Sequence, residues 1–246
     1  MASSPQKYRV NTEPRISANQ LAEYALAAPS RRQTILRNAK FAPVYLVVQY
    51  SDARQAIKEY LSDDLRSAGK LFTEVNRLTD VMNNADTAFI QNGAALSIEA
   101  IQAFREIENQ GLIPKTQVFS ACTARLPPLS LNGVNVSVSI DLIAKNNGSG
   151  KIGGILLQTS KAISSRSWRD EHSKYVASLV WMLAEKHLHT QGKIERAFCA
   201  SVDLFSTSWT KAPTNYKTRL QNLEASCNEI SMIWDRIVPP HDFDEG

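Results

Sequence analysis

Between Val134 and Leu142 every second residue is apolar, with Val134, Val136, Val138, Ile140 and Leu142 alternating with Asn135, Ser137, Ser139 and Asp141. A period of two puts successive side chains on opposite faces of a strand, so the apolar set faces a core and Asp141 points out of the other face. The run Asn146, Asn147, Gly148, Ser149 and Gly150 tolerates left-handed turn conformations, and the apolar stretch from Ile152 to Leu157 follows it. This pattern predicts a β-hairpin over 134–161. Thr116 to Leu126 predicts a strand before it, closed by Pro127 and Pro128. From Ile194 to Ser206, Phe198, Ala200, Val202 and Leu204 alternate with Cys199, Ser201 and Asp203, which predicts a fourth strand.

Elsewhere the period lengthens to that of a helix. Ser17 is a good cap for a short helix carrying Leu21, Tyr24, Ala25 and Ala28, with Pro29 as its stop. Ser30 caps a second, with Ile35 and Leu36 inward and arginines outward, and Phe41 to Tyr50 reads as a strand or extended connector. Helical spacing then runs from Ser51 to Leu61, Leu65 to Met82, Leu96 to Glu108, Trp168 to Leu188 and Tyr216 to Ile237. The expected fold is α/β (α+β), a helical N-terminal half packed on one mixed four-stranded sheet of 116–126, 134–145, 151–161 and 194–206. The helix between the last two strands permits their parallel pairing. Val138, Ile140, Leu142, Ile155, Leu179, Leu183, Val202 and Leu204 are the expected core. Residues 1–15 read as a disordered tail, 16–238 as a single domain (helical 16–95, sheet-bearing 96–238) and 239–246 as a second tail.

With 246 residues, 43% hydrophobic and 21% charged, the chain has ample material for a core. No uncharged apolar run reaches the length of about 18 residues that spans a membrane, which implies no membrane partner. The opening MASSPQKYRVNTEPR has no apolar centre of the kind a secretory signal needs, so a cytoplasmic location is expected. Three scattered cysteines read as core thiols. A net charge of +4 permits a phosphate-bearing partner. Its sharpest local form is SRRQTILRNAK, where Arg31, Arg32, Arg37 and Lys40 form either a solvated helix face or a nucleic-acid contact. Gly148 to Lys151 is no phosphate-cradling P-loop, because Lys145 and Ile152 stand where that motif needs a glycine and a hydroxyl. His187 and His189, two apart on a helix, diverge and make a poor metal pair.

Helix, three-stranded meander, helix and strand over Leu96 to Ser206, with Asp141 in the second strand, resembles the core of the PD-(D/E)xK nuclease superfamily. The resemblance implies a restriction-endonuclease-like core acting on DNA by metal-dependent phosphodiester hydrolysis with Mg²⁺. It also implies a Glu-x-Lys in the third strand, but a register setting Gly154 opposite Asp141 puts Gly154 and Leu156 there. Members of the superfamily move that acid to the following helix or carry a Gln-x-x-x-Tyr element on it. By that resemblance Asp141, Lys161 and Glu171 form a rearranged catalytic set: Asp141 and Glu171 hold the metal, Lys161 places the water, and Tyr175 joins Arg31, Arg32, Arg37 and Lys40 at nucleic acid. An acid early in a helix is also what the helix dipole favours. RISANQLAEYALAAPSRRQTILRNAK resembles a bacterial family of no assigned activity, which implies a bacterial or mobile-element source. Three functions are thus expected: a nuclease-fold protein acting on DNA, a catalytically inactive nuclease-fold interaction or regulatory subunit binding a protein partner, or, were the SRRQTILRNAK arginines scattered over the surface, a helical binding module with no link to nucleic acid.

Overall fold

A computed structural model describes residues 7–44, 50–146, 148–161 and 165–243. In chain order its elements are β1 (Tyr8–Val10), β2 (Arg15–Ser17), α1 (Ala18–Leu26), α2 (Pro29–Lys40), β3 (Phe41–Pro43), α3 (Ser51–Leu61), α4 (Ala68–Asn84) and α5 (Ala88–Asn109). There follow β4 (Val118–Ala121), β5 (Leu129–Leu131), β6 (Val134–Ser137), β7 (Leu142–Asn146), β8 (Lys151–Gln158) and α6 (Arg166–His187). The chain ends with β9 (Lys193–Ile194), β10 (Ala200–Asp203), β11 (Ser208–Lys211) and α7 (Tyr216–Ile233), with 3-10 turns at Arg196–Phe198 and Trp234–Arg236. The architecture is mixed α/β. It divides into two compact units, one of residues 1–47, 126–139 and 214–246, the other of 48–125 and 140–213. Among the described residues no helix is long and apolar enough to cross a membrane.

The second unit is built on a sheet of six strands, not four, in the order β11-β10-β8-β7-β4 with β9 beside β8. Antiparallel β4, β7 and β8 form the meander, and α6 carries the chain over to β10, which pairs parallel to β8 with Val202 beside Leu157. Helices α3, α4 and α5 share one apolar cluster with Phe119, Leu142, Ala144, Ile155, Leu157 and Val202 of the sheet. Helix α6 packs on β8 and β10. Covered sheets need continuous apolar strands, and β8 is buried at every position from Ile152 to Gln158. Gly154 belongs to this packing, since a Cβ there would meet Ile140 Cδ1 at 2.7 Å and Val180 Cγ1 at 3.2 Å. All eight expected core residues are buried.

The expected strand 134–145 is two strands in two sheets. Val134 to Ser137 lies in the first unit, between β2 and β5, and buries alternate residues only. Ile140 to Ala144 is buried without interruption, the signature of a strand covered on both faces. Alternation continues through Val138 to Ile140, outside both strands, so the period alone did not reveal the break. The first and fourth strands are also shorter than expected, at Val118–Ala121 and Ala200–Asp203.

In the first unit Ser17 and Gln20 close a capping box on α1: the Gln20 N–H donates to Ser17 Oγ and the Ser17 N–H donates to Gln20 Oε1. Pro29 does not simply stop α1. It opens α2, where a missing N–H costs nothing, and Ala28 rather than Ser30 is the N-cap. Helices α1 and α7 pack together, and Leu21 of α1 and Leu223, Cys227 and Ile230 of α7 are buried. The expected connector is a strand at Phe41–Pro43, and 45–49 lie outside the described residues.

Candidate functional site

Asp141 stands immediately before β7 in the second unit, only 8% exposed. Its N–H donates to the Ile155 carbonyl at 2.8 Å and its carbonyl accepts from the Cys122 N–H at 2.9 Å, so its backbone is stitched into the sheet on both sides. Two donors converge on its carboxylate: the Leu157 N–H reaches Oδ2 at 2.8 Å, and Arg54 Nη2 reaches the same oxygen at 3.0 Å. Arg54 Nη2 also donates to the Leu157 carbonyl at 2.7 Å, closing a ring of three groups. Arg54 lies one residue beyond Ala53, a fully buried residue of α3, so the packing that seats α3 also delivers the guanidinium. Charge-assisted bonds of this kind are among the stronger ones available to a folded chain.

The register differs from the expected one. Ile143 lies opposite Gly154, and Leu142 opposite Ile155. The β8 residues that bond the Asp141 side are therefore Ile155 and Leu157, and Gly154 fills a packing position two residues further along the hairpin.

Lys161 is three residues beyond the end of β8, exposed, and pairs with Glu99 of α5. Its Nζ sits 5.3 Å from the centroid of the Phe205 ring, which meets the Tyr50 ring at 5.9 Å. The Tyr50 phenol is raised above its ordinary range, first by burial, with Lys161 opposing and Glu99 adding to the shift. The Arg54 N–H donates to the Tyr50 carbonyl at 2.9 Å, closing the first turn of α3. Glu171 is in the second turn of α6, not the first, and forms an ion pair with Lys174 at 3.2 Å. Tyr175 is 4% exposed. Asp141, Lys161 and Glu171 thus each have a partner of their own, and among the described residues no group of three or more His, Cys, Asp or Glu could hold a metal ion.

A second buried polar cluster lies at the carboxyl ends of β8 and β10. Arg169 of α6 grips Asp203 through Nε at 2.8 Å and through Nη2, and donates to the Ser160 carbonyl at 3.2 Å. Beside it the Gln158 amide donates to Ser173 Oγ at 3.2 Å and to Ser201 Oγ.

In the first unit the basic stretch of α2 is largely spent on the fold. Arg31 Nε pairs with Glu23 at 2.6 Å. Arg32 pairs with Glu229 at 3.2 Å, lies over the Tyr24 ring, and donates from Nε to the carbonyls of Tyr24 and Ala27 at the end of α1. Lys40 Nζ donates to the Trp234 carbonyl at 2.8 Å. Arg37 alone of the four has no such partner among the described residues, and its Nε is buried without a hydrogen bond.

The thiols divide as their positions dictate. Cys199 and Cys227 are buried, each pushed up to about 12 chiefly by burial, whereas Cys122 is only half-buried. Compared with known protein families and with curated proteins, the chain matches none.

Proposed function

We propose that the protein is a catalytically inactive, nuclease-like interaction or regulatory subunit that binds a protein partner. The order α5, β4, β7, β8, α6 and β10, interrupted by β5 and β6 and by β9 but with β10 parallel to β8, supports the nuclease-like part. The observation that carries the inactive part is the hold of Arg54 and the Leu157 N–H on Asp141. A carboxylate that ligates Mg²⁺ offers its oxygens to the cation. Here the Arg54 guanidinium already supplies the positive charge, and the acid serves as a tie between α3 and the sheet, an arrangement that does not suit Mg²⁺ there. Support for a protein partner comes from α4 and α5, which expose Phe72, Phe89 and Ile90 at 62%, 61% and 47%.

The test is to incubate the purified protein with single- and double-stranded DNA and RNA in Mg²⁺ or Mn²⁺. No metal-dependent cleavage is expected. Cleavage by the parent that Asp141→Ala abolishes while the fold survives overturns the reading.

One observation favours a second reading, a Mg²⁺-dependent nuclease acting on DNA: the same unit carries a lysine and an acid, Lys161 and Glu99, paired beside the Phe205 ring, which meets the ring of Tyr50 at the start of α3. In that reading Asp141 and Glu171 ligate the metal and Lys161 positions water. Arg54→Met separates the two, because it frees Asp141: it raises metal-dependent cleavage under the second reading and leaves cleavage absent under the first.

A further inference from the structure

The first unit contains a recess of about 270 Å³ between α2 and the segment that follows α7. Leu36, Ile233, Ile237 and Val238 give it an aliphatic wall, and Gln33 lines it as well. The segment is fixed in place: Trp234 is buried, its Nε1–H donates to the Asn11 carbonyl at 3.2 Å, and its own carbonyl accepts from Lys40. Arg37 and Arg236 also line the recess, with no acidic side chain among its lining residues. Neither guanidinium has a carboxylate partner among the described residues, in contrast to Arg31 and Arg32 on the same helix. Arg37 Nε is removed from solvent without an acceptor among the described residues. Burial of that nitrogen costs the cation part of its hydration, and an anion beside the guanidinium offsets the loss.

From this combination we propose that the recess binds a small aliphatic monocarboxylate, its chain against the four aliphatic side chains and its carboxylate between Arg37 and Arg236. Planar guanidinium groups match a carboxylate in geometry as well as charge. A nucleotide is disfavoured because the recess is smaller than the pockets that enclose drug-sized ligands, which begin near ~300 Å³, and no aromatic ring lines it for a base to stack on. This site is independent of the Asp141 reading, which concerns the other unit.

Titration calorimetry with octanoate tests it, alongside octanol, inorganic phosphate and a short peptide ending in leucine with a free carboxylate. Octanoate is expected to bind saturably, and octanol and phosphate at least about tenfold more weakly, as the loss of charge-assisted hydrogen bonds or of the apolar contact requires. Arg37→Met and Arg236→Met are each expected to weaken octanoate about tenfold or more with circular dichroism and melting unchanged. Val238→Glu, at an exposed position where the fold is safe, is expected to abolish binding by placing a like charge in the wall. Octanoate binding no better than octanol or phosphate, or binding indifferent to all three substitutions, overturns the proposal. Tighter binding of the peptide than of octanoate overturns it in favour of a chain terminus.

Discussion

Asp141 and Asp203 lie in the same sheet and are held by the same device, an arginine from a neighbouring helix and a backbone N–H, yet the two ties differ in completeness. Asp203 is 2% exposed, takes two guanidinium nitrogens from Arg169, and accepts the Ser206 N–H at 3.3 Å. Asp141 takes one nitrogen from Arg54, whose side chain is 34% exposed and whose Nε has no hydrogen-bond partner among the described residues. The comparison teaches that an acid at a strand end in this protein is first of all a fastener. A resemblance that marks Asp141 as catalytic has to be weighed against Asp203, which does the same structural work at a place where no catalytic role was expected. The looser tie is the one open to rearrangement.

The largest effect is expected at the closed tie. Asp203→Ala strands a buried Arg169 charge and should cost about 3 to 5 kcal/mol, read from denaturant melts. A cost below about 0.5 kcal/mol, the range of surface changes, breaks the comparison at its stronger end. Leu179→Ala, on the helix that carries Arg169, should cost about 2 to 5 kcal/mol as a cavity in a fully packed face. It shows how much of the α6 contribution is apolar packing rather than the ion pair.

Arg54→Met should cost less, about 1 to 3 kcal/mol, because water can reach part of the vacated site and the Leu157 N–H remains on Asp141. A loss equal to that of Asp203→Ala would erase the difference between the ties. Smallest of all, Lys161→Met and Glu171→Gln remove half-exposed ion pairs and should each change stability by no more than about 1 kcal/mol.

Much of the second unit was legible because its elements advertise themselves locally. Val202 and Leu204 alternate, Asn146 to Gly150 break the chain, and the long helix after β8 permits a parallel return. What stayed hidden depends on sequence distance. Arg54 lies 87 residues before Asp141 on a helix whose pattern shows only that Ala53, Ala56 and Ile57 face inward. Nothing local marks Glu99 of α5 as the partner of Lys161, far along the chain beyond β8. Arg32 read as a free cation, since its partner Glu229 is 197 residues away and its other acceptors are backbone carbonyls. The division of 134–145 was the one feature written locally but masked: alternation persists across Val138 to Ile140, and only the unbroken apolar run Leu142, Ile143 and Ala144 marks a different sheet.

Whether Asp141 is a fastener is tested most directly by a double-mutant cycle on stability with Arg54→Met, Asp141→Asn and the pair. A coupling of about 0.5 to 3 kcal/mol between the two positions, the range for residues in direct contact, is the expected result. Additive losses, with Asp141→Asn as stable as the parent, would contradict it and leave the carboxylate for other chemistry.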